Sequence, residues 1–172
     1  TNASAAELRT FFPHQVNVEH QDAHGNTPLL LAVKHNHMVA VGMLITAKAN
    51  LDVFNSHGVS PLIAAAMNAD GRSSPLLDRL IGAKANVNKK NKQGKTPLMS
   101  AAYHNTPVIV KKLVAAKANV NVTDEQSNTA LILASRNGGV AAMKVLINAK
   151  ADVRAKDKSG NTALYWATRS CN

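Results

Sequence analysis

The segment Gly25-Asn26-Thr27-Pro28-Leu29 recurs as Gly58-Val59-Ser60-Pro61-Leu62, Gly94-Lys95-Thr96-Pro97-Leu98, Ser127-Asn128-Thr129-Ala130-Leu131 and Gly160-Asn161-Thr162-Ala163-Leu164. A period of about 33 residues confines the chain to a stacked-repeat architecture, since a unit this short cannot bury its own apolar face and must share it with its neighbours. A second ladder keeps step with the first: Ala47-Lys48-Ala49-Asn50, Ala83-Lys84-Ala85-Asn86, Ala116-Lys117-Ala118-Asn119 and Ala149-Lys150-Ala151-Asp152. Together they divide the 172 residues into complete units at 22–54, 55–90, 91–123 and 124–156, with partial units at 1–21 and 157–172.

Within each unit the signals are those of two short helices. The Thr or Ser that precedes Pro or Ala can accept a backbone N–H as an N-cap, and proline fits the first helical turn, where its missing N–H is not needed. Helices are therefore expected to start after Thr27, Ser60 and Thr96, with weaker signals at Thr129 and Thr162 because alanine follows. Asn36, Asn105 and Gly138 tolerate the left-handed conformation that ends a helix. A second helix follows, with Val41, Leu44 and Ile45 in one unit and Val110, Leu113 and Val114 in another spaced to lie on one face. Ala32, Ala65, Ala101, Ala134 and Ala167 recur on the first helix and permit close helix approach. Leu29, Leu62, Leu98, Leu131 and Leu164 are expected to lie buried in register along the stack.

This pattern of turn glycine, Thr-Pro-Leu, second apolar helix and Ala-Asn/Asp-Val-Asn resembles the ankyrin repeat across essentially the whole chain. The resemblance implies an all-α repeat: an ankyrin-repeat solenoid of helix-turn-helix units joined by β-hairpin-like fingers. The partial first unit carries Leu8, Phe11 and Phe12 one period before Val41, Leu44 and Ile45, and the last stops after Leu164-Tyr165-Trp166-Ala167. Both ends read as pieces of a longer array, so the Phe11-Phe12 and Tyr165-Trp166 regions are expected to remain partly exposed.

Three departures from the family pattern stand out. Lysine replaces the helix-closing glycine at Lys48, Lys84, Lys117 and Lys150. There a left-handed residue with a Cβ costs on the order of 1 kcal/mol, partly offset by positive charge at a helix C-terminus. Duplication of one ancestral unit, or a basic stripe, accounts for the recurrence. Leu30, Ile63, Met99, Ile132 and Tyr165 stand where the family often has histidine, leaving apolar packing to set the stack. Ser127 replaces a turn glycine, which predicts a strained or altered finger. Unit 55–90 is also longer, with an extended loop over 68–75 ending in a Ser74 N-cap and Pro75; it is either a tolerated insertion or an extra contact loop.

No catalytic, cofactor or metal constellation emerges. His35-Asn36-His37 spells part of a nuclease signature without its accompanying ligands, and Gly94-Lys95-Thr96 ends like a phosphate-binding loop but lacks the earlier glycine, which is Lys89. His24 and His57 lie one period apart and are expected to be neighbours on adjacent fingers, without a further ligand for a metal. Asp22, Asp124 and Asp157 alternate with Asn55 and Asn91, which fits a turn-forming role that acid and amide share. Cys171 is the lone cysteine, so no internal disulfide can form and a reducing, cytoplasmic compartment is favoured. There is neither an 18-residue apolar run nor a visible signal peptide. The segment reads as a non-enzyme and as a monomer.

Recognition is what the resemblance leaves. Ankyrin-like arrays bind proteins along a concave strip of finger tips and first helices. Carried over, the strip includes Asn26, Lys34 and His35; Phe54, His57 and Met67; Lys89, Lys90, Lys92, Lys95, Tyr103 and His104; and Asn128 and Arg136. Phe54, Met67 and Tyr103 are candidate anchors, or else fold back over their neighbours. A net charge of +10 and the lysine run at 89–95 point to plain solvation, to an acidic protein partner, or to nucleic acid or lipid. Sparse arginine and the lack of interleaved aromatics weigh against nucleic acid. The first function implied is a protein-interaction module presenting a concave, basic surface. The second is a targeting or substrate-recruiting domain of a larger enzyme or secreted bacterial effector. Arrays of this asparagine- and lysine-rich style occur in effectors that intracellular bacteria deliver into the host cytoplasm.

Overall fold

A computed structural model describes residues 17–67 and 74–170, so Leu8, Phe11, Phe12, most of the 68–75 loop and Cys171 lie outside the described residues. Over these residues the chain forms α1 (Pro28–Lys34), α2 (Met38–Thr46), α3 (Pro61–Met67), α4 (Ser74–Gly82), α5 (Pro97–Tyr103), α6 (Pro107–Ala115), α7 (Ala130–Arg136), α8 (Val140–Asn148) and α9 (Ala163–Ser170). Odd-numbered helices are the first helices of successive units and pack on one another, α1 on α3, α3 on α5, α5 on α7 and α7 on α9. Even-numbered helices α2, α4, α6 and α8 form a second row behind them.

Each first helix starts as its cap dictates. Thr27, Ser60, Thr96 and Thr129 accept the N–H of the third residue on, at 3.2–3.3 Å, and Thr162 does so at 3.4 Å. Alanine after Thr129 does not weaken the start, because the hydroxyl supplies the cap and proline only restricts φ. Asn36, Asn105 and Gly138 close the first helices at φ of 55°, 51° and 64°. All four closing lysines, Lys48, Lys84, Lys117 and Lys150, are left-handed, at 60–72°. Helix α4 begins at Ser74 itself, one residue before the expected start at Pro75, so Ser74 is a helical residue and not the N-cap.

The core is a line of small and branched side chains. Leu29, Leu62, Leu98 and Leu131 are at most 1% exposed, and Ala65, Ala101 and Ala134 are fully buried between first helices. Leu30, Ile63, Met99 and Ile132 are buried too, so apolar contact fills the family's histidine position. Leu164 departs from its register and is 73% exposed. In the earlier units a second helix and a further first helix follow this leucine, and no described helix follows α9. Tyr165 is exposed and Trp166 half-buried, in keeping with the partial exposure expected of this region.

The fingers are turns rather than strands; among the described residues the one β contact is an isolated antiparallel bridge between Lys156 and Thr162. The reason lies in the Asp/Asn ladder. The Oδ1 atoms of Asp22, Asn55, Asn91, Asp124 and Asp157 each accept the backbone N–H two and four residues on, at 2.8–3.0 Å. One side-chain oxygen closes the turn whether acid or amide carries it, so no longer ladder is needed. Ser127 takes the same left-handed turn as the glycines, at φ 59°.

A second set of bonds joins units in the segments that follow the second helices. The N–H groups of Asn50, Asn86, Asn119 and Asp152 donate to Glu19, Asp52, Asn88 and Asn121 of the preceding unit, at 2.7–3.0 Å. The Nδ2 atoms of Asn88 and Asn121 reach forward to the carbonyls of Lys117 and Lys150. Polar bonds between units thus supplement the apolar packing of the stack.

Candidate recognition surface

Adjacent fingers are held in register by main-chain bonds at their tips: Ser56 N–H to His24 O, Glu125 N–H to Gln93 O and Lys158 N–H to Gln126 O, at 2.9–3.0 Å. At the remaining tip the Nδ2 of Asn91 donates to Gly58 O at 3.0 Å. The finger side and the exposed edges of the first helices therefore form one continuous strip with a fixed spacing per unit.

Along this strip Lys34 ends α1 and lies exposed, its Nζ 3.3 Å from Asn26 Oδ1. His35 caps α1, is exposed, and lies 5.9 Å from the His37 ring. His57 sits on a finger tip with its Nδ1 3.3 Å from Ser56 Oγ and its ring 6.2 Å from that of His24. Met67 and Tyr103 end α3 and α5 at 39% and 52% exposure. His104 is half-buried and meets Tyr103 edge to face at 5.2 Å. Lys89, Lys90, Lys92 and Lys95 are exposed around one finger, and their ammonium groups meet no carboxylate among the described residues. Arg136 ends α7 and holds its guanidinium 4.5 Å above the Trp166 ring.

Three expectations about this surface need correction. Phe54 is half-buried rather than exposed, where it precedes the finger base at Asn55. Asn26 and Asn128 are buried because their side chains turn inward to Asp22 and Asp124. Asn26 Oδ1 is also bonded by Asn55 Nδ2 at 2.8 Å across the units.

The structure brings Lys34, His57 and Met67 together with Asn55, Val59 and Ala64 around a shallow, open cleft of about 300 Å³. The other nominated residues do not line that cleft. Val59 is another strip position that the repeat pattern nominates, whereas sequence reasoning missed Asn55 as a cleft wall and the stack of Arg136 on Trp166. It also missed Arg169, one period beyond Arg136, which lies exposed at the end of α9 near the Tyr165 ring. Extending the repeat alignment one period beyond Arg136 would have shown Arg169.

Electrostatically, two finger carboxylates are held in their ionised form. The side-chain amide and then the N–H of Asn26 bring the Asp22 carboxyl below its ordinary value, with His24 adding to the effect. At Asp157 desolvation raises the value, but the Asn161 and Ser159 N–H groups, the Trp166 indole and the Asn161 side chain outweigh it. No cluster of three or more His, Cys, Asp or Glu side chains forms among the described residues.

Family models for ankyrin repeats match residues 24–56, 72–114 and 98–172. The chain belongs to the ankyrin-repeat family. No curated protein matches it significantly. As an ankyrin-repeat protein it belongs to a class that generally serves as protein-interaction modules and is typically non-catalytic. None of its described helices is long and apolar enough to cross a membrane.

Proposed function

We propose that this ankyrin-repeat chain is a non-catalytic, monomeric interaction module that presents a concave, basic strip to an acidic segment of a protein partner. The observation that carries this reading is that four lysines around one finger, Lys89, Lys90, Lys92 and Lys95, are exposed without a carboxylate partner among the described residues, while Met67 and Tyr103, which end the first helices before and after that finger in the chain, are exposed as well. Free cations steer an acidic partner toward the surface, and aromatic or large apolar side chains supply the desolvated contact that slows its departure. A single cysteine at position 171 suits a reducing cytoplasm. Rigid fingers support the same use, because side chains fixed in register lose little freedom on binding.

The test is affinity capture from cell lysate with the native chain and with a variant carrying Lys→Glu at 89, 90, 92 and 95. The native chain should retain a partner with an acidic segment, and added salt should release it. A partner held equally by the charge-reversed chain overturns the reading.

A further inference from the structure

Lys34, Met67, Tyr103 and Arg136 are the last residues of α1, α3, α5 and α7, Arg169 lies one residue before the end of α9, and all five are exposed. Successive first helices pack directly on one another. Packed helices lie about 8–10 Å apart, so this row presents a cation, two apolar groups and two further cations at roughly that interval. Three of its members are held in place. Lys34 bonds to Asn26, Tyr103 meets His104 edge to face and its carbonyl accepts from Asn137 Nδ2, and Arg136 lies on Trp166. The cleft between Lys34 and Met67, walled by Val59 and Ala64, offers about 300 Å³ next to a positive charge.

A polyproline II segment has three residues per turn and rises about 3.1 Å per residue, so every third side chain returns to one face after about 9 Å. That repeat matches the spacing of the row. A β-strand instead puts alternate residues on one face, about 6.6–6.8 Å apart, and falls out of register within a few units.

We infer that the row reads an extended acidic segment in polyproline II form, with a carboxylate, two apolar side chains and a second carboxylate each three residues apart. The carboxylates meet Lys34 and Arg136, and the apolar side chains meet Met67 and Tyr103. This rests on the acidic-partner reading above and adds the spacing that the partner must have. Arg136 suits its position because stacking on Trp166 leaves the edge of the guanidinium for a carboxylate, which it can hold with two bonds.

The experiment uses the full chain and labelled synthetic peptides, with binding followed by fluorescence anisotropy. One peptide carries glutamate, leucine, leucine and glutamate at every third position in a neutral proline- and serine-containing background. The other has the same composition with those residues at every second position. The first should bind about tenfold tighter or more, and Tyr103→Ala should remove most of that advantage. Lys34→Glu should weaken the period-three peptide, and a peptide with lysine in place of one terminal glutamate should recover it. Because all these side chains are exposed, melting temperatures should be unchanged, which separates lost recognition from lost fold. Salt-sensitive binding of both peptides within about twofold overturns the spacing while leaving the acidic-partner reading intact. Binding of neither peptide also overturns the spacing, and the capture experiment then decides the broader reading.

Discussion

Trp166 Nε1 donates to Asp157 Oδ2 at 2.8 Å, tying the last described helix to the finger that precedes it. The same indole ring carries the guanidinium of Arg136 from the previous unit. One tryptophan therefore joins three elements where apolar cover is thin. A double-mutant cycle of Asp157→Asn and Trp166→Phe should give a coupling of about 0.5–1.5 kcal/mol by urea denaturation, the size of a hydrogen bond to a partly solvated charge. Additive effects would show that the bond contributes nothing.

The pH dependence follows from the same carboxylate. Its folded value is depressed, so the unfolded chain binds more protons just below the ordinary carboxylate value of about 3.9. Stability from Asp157 and Asp22 is then complete above that value and is lost as pH falls through the lower, folded-state values. Trp166 is the sole tryptophan, and its fluorescence should change in that acidic window. In the Asp157→Asn chain the transition should disappear.

Closing lysines set up a stabilising substitution. Lys117 adopts φ 67°, where a Cβ is unfavourable and glycine meets no such clash. Lys117→Gly should raise stability by a few tenths to about 1 kcal/mol in thermal or chemical melts. A loss would mean that the lysine's charge at the helix end outweighs its backbone cost.

Two finger glycines with nearly the same φ should behave differently. A Cβ on Gly94 would lie 3.0 Å from the Asp124 Cα, whereas a Cβ on Gly160 would meet nothing within 4 Å. Gly160→Ala should therefore cost only the conformational penalty, about 1 kcal/mol, and Gly94→Ala about 2 kcal/mol or more. Equal losses would remove any role for the close approach of neighbouring fingers.

The leucine ladder makes a matched pair. Leu98→Ala leaves a cavity in a central layer and should cost about 2–5 kcal/mol, while Leu164→Ala, at an exposed position, should fall within about 0.5 kcal/mol. Similar losses at the two sites would contradict the difference in burial.

Much of the site was legible only as a list of candidates. Periodicity nominated Met67, Tyr103 and Arg136 because equivalent positions repeat, but it could not reveal that Asn128 turns inward or that Arg136 stacks on Trp166. The contrast between Asn26 and Asn128 shows why. Asn26 Oδ1 receives Asn55 Nδ2, whereas the equivalent Asn128 Oδ1 is buried with no donor. Position 157 is an aspartate, with no side-chain N–H to give, and its outer oxygen serves the indole instead. Such differences depend on pairs of residues from separate units.

Local chemistry carried in the sequence determined the helix starts, the left-handed lysines and the finger turns, because a hydroxyl, a Cβ or an Asx oxygen acts on backbone within a few residues. It also determined the stack, since one apolar pattern repeated every unit can be buried only against its own neighbours. Tertiary structure decided which members of each ladder are buried, leaving Leu164 exposed while Leu29, Leu62, Leu98 and Leu131 are enclosed. It likewise aligned five helix ends into one row and opened a cleft beside Lys34. Burial and spacing between units are properties of the assembled layers, and an identical local motif acquires them only from what lies on either side.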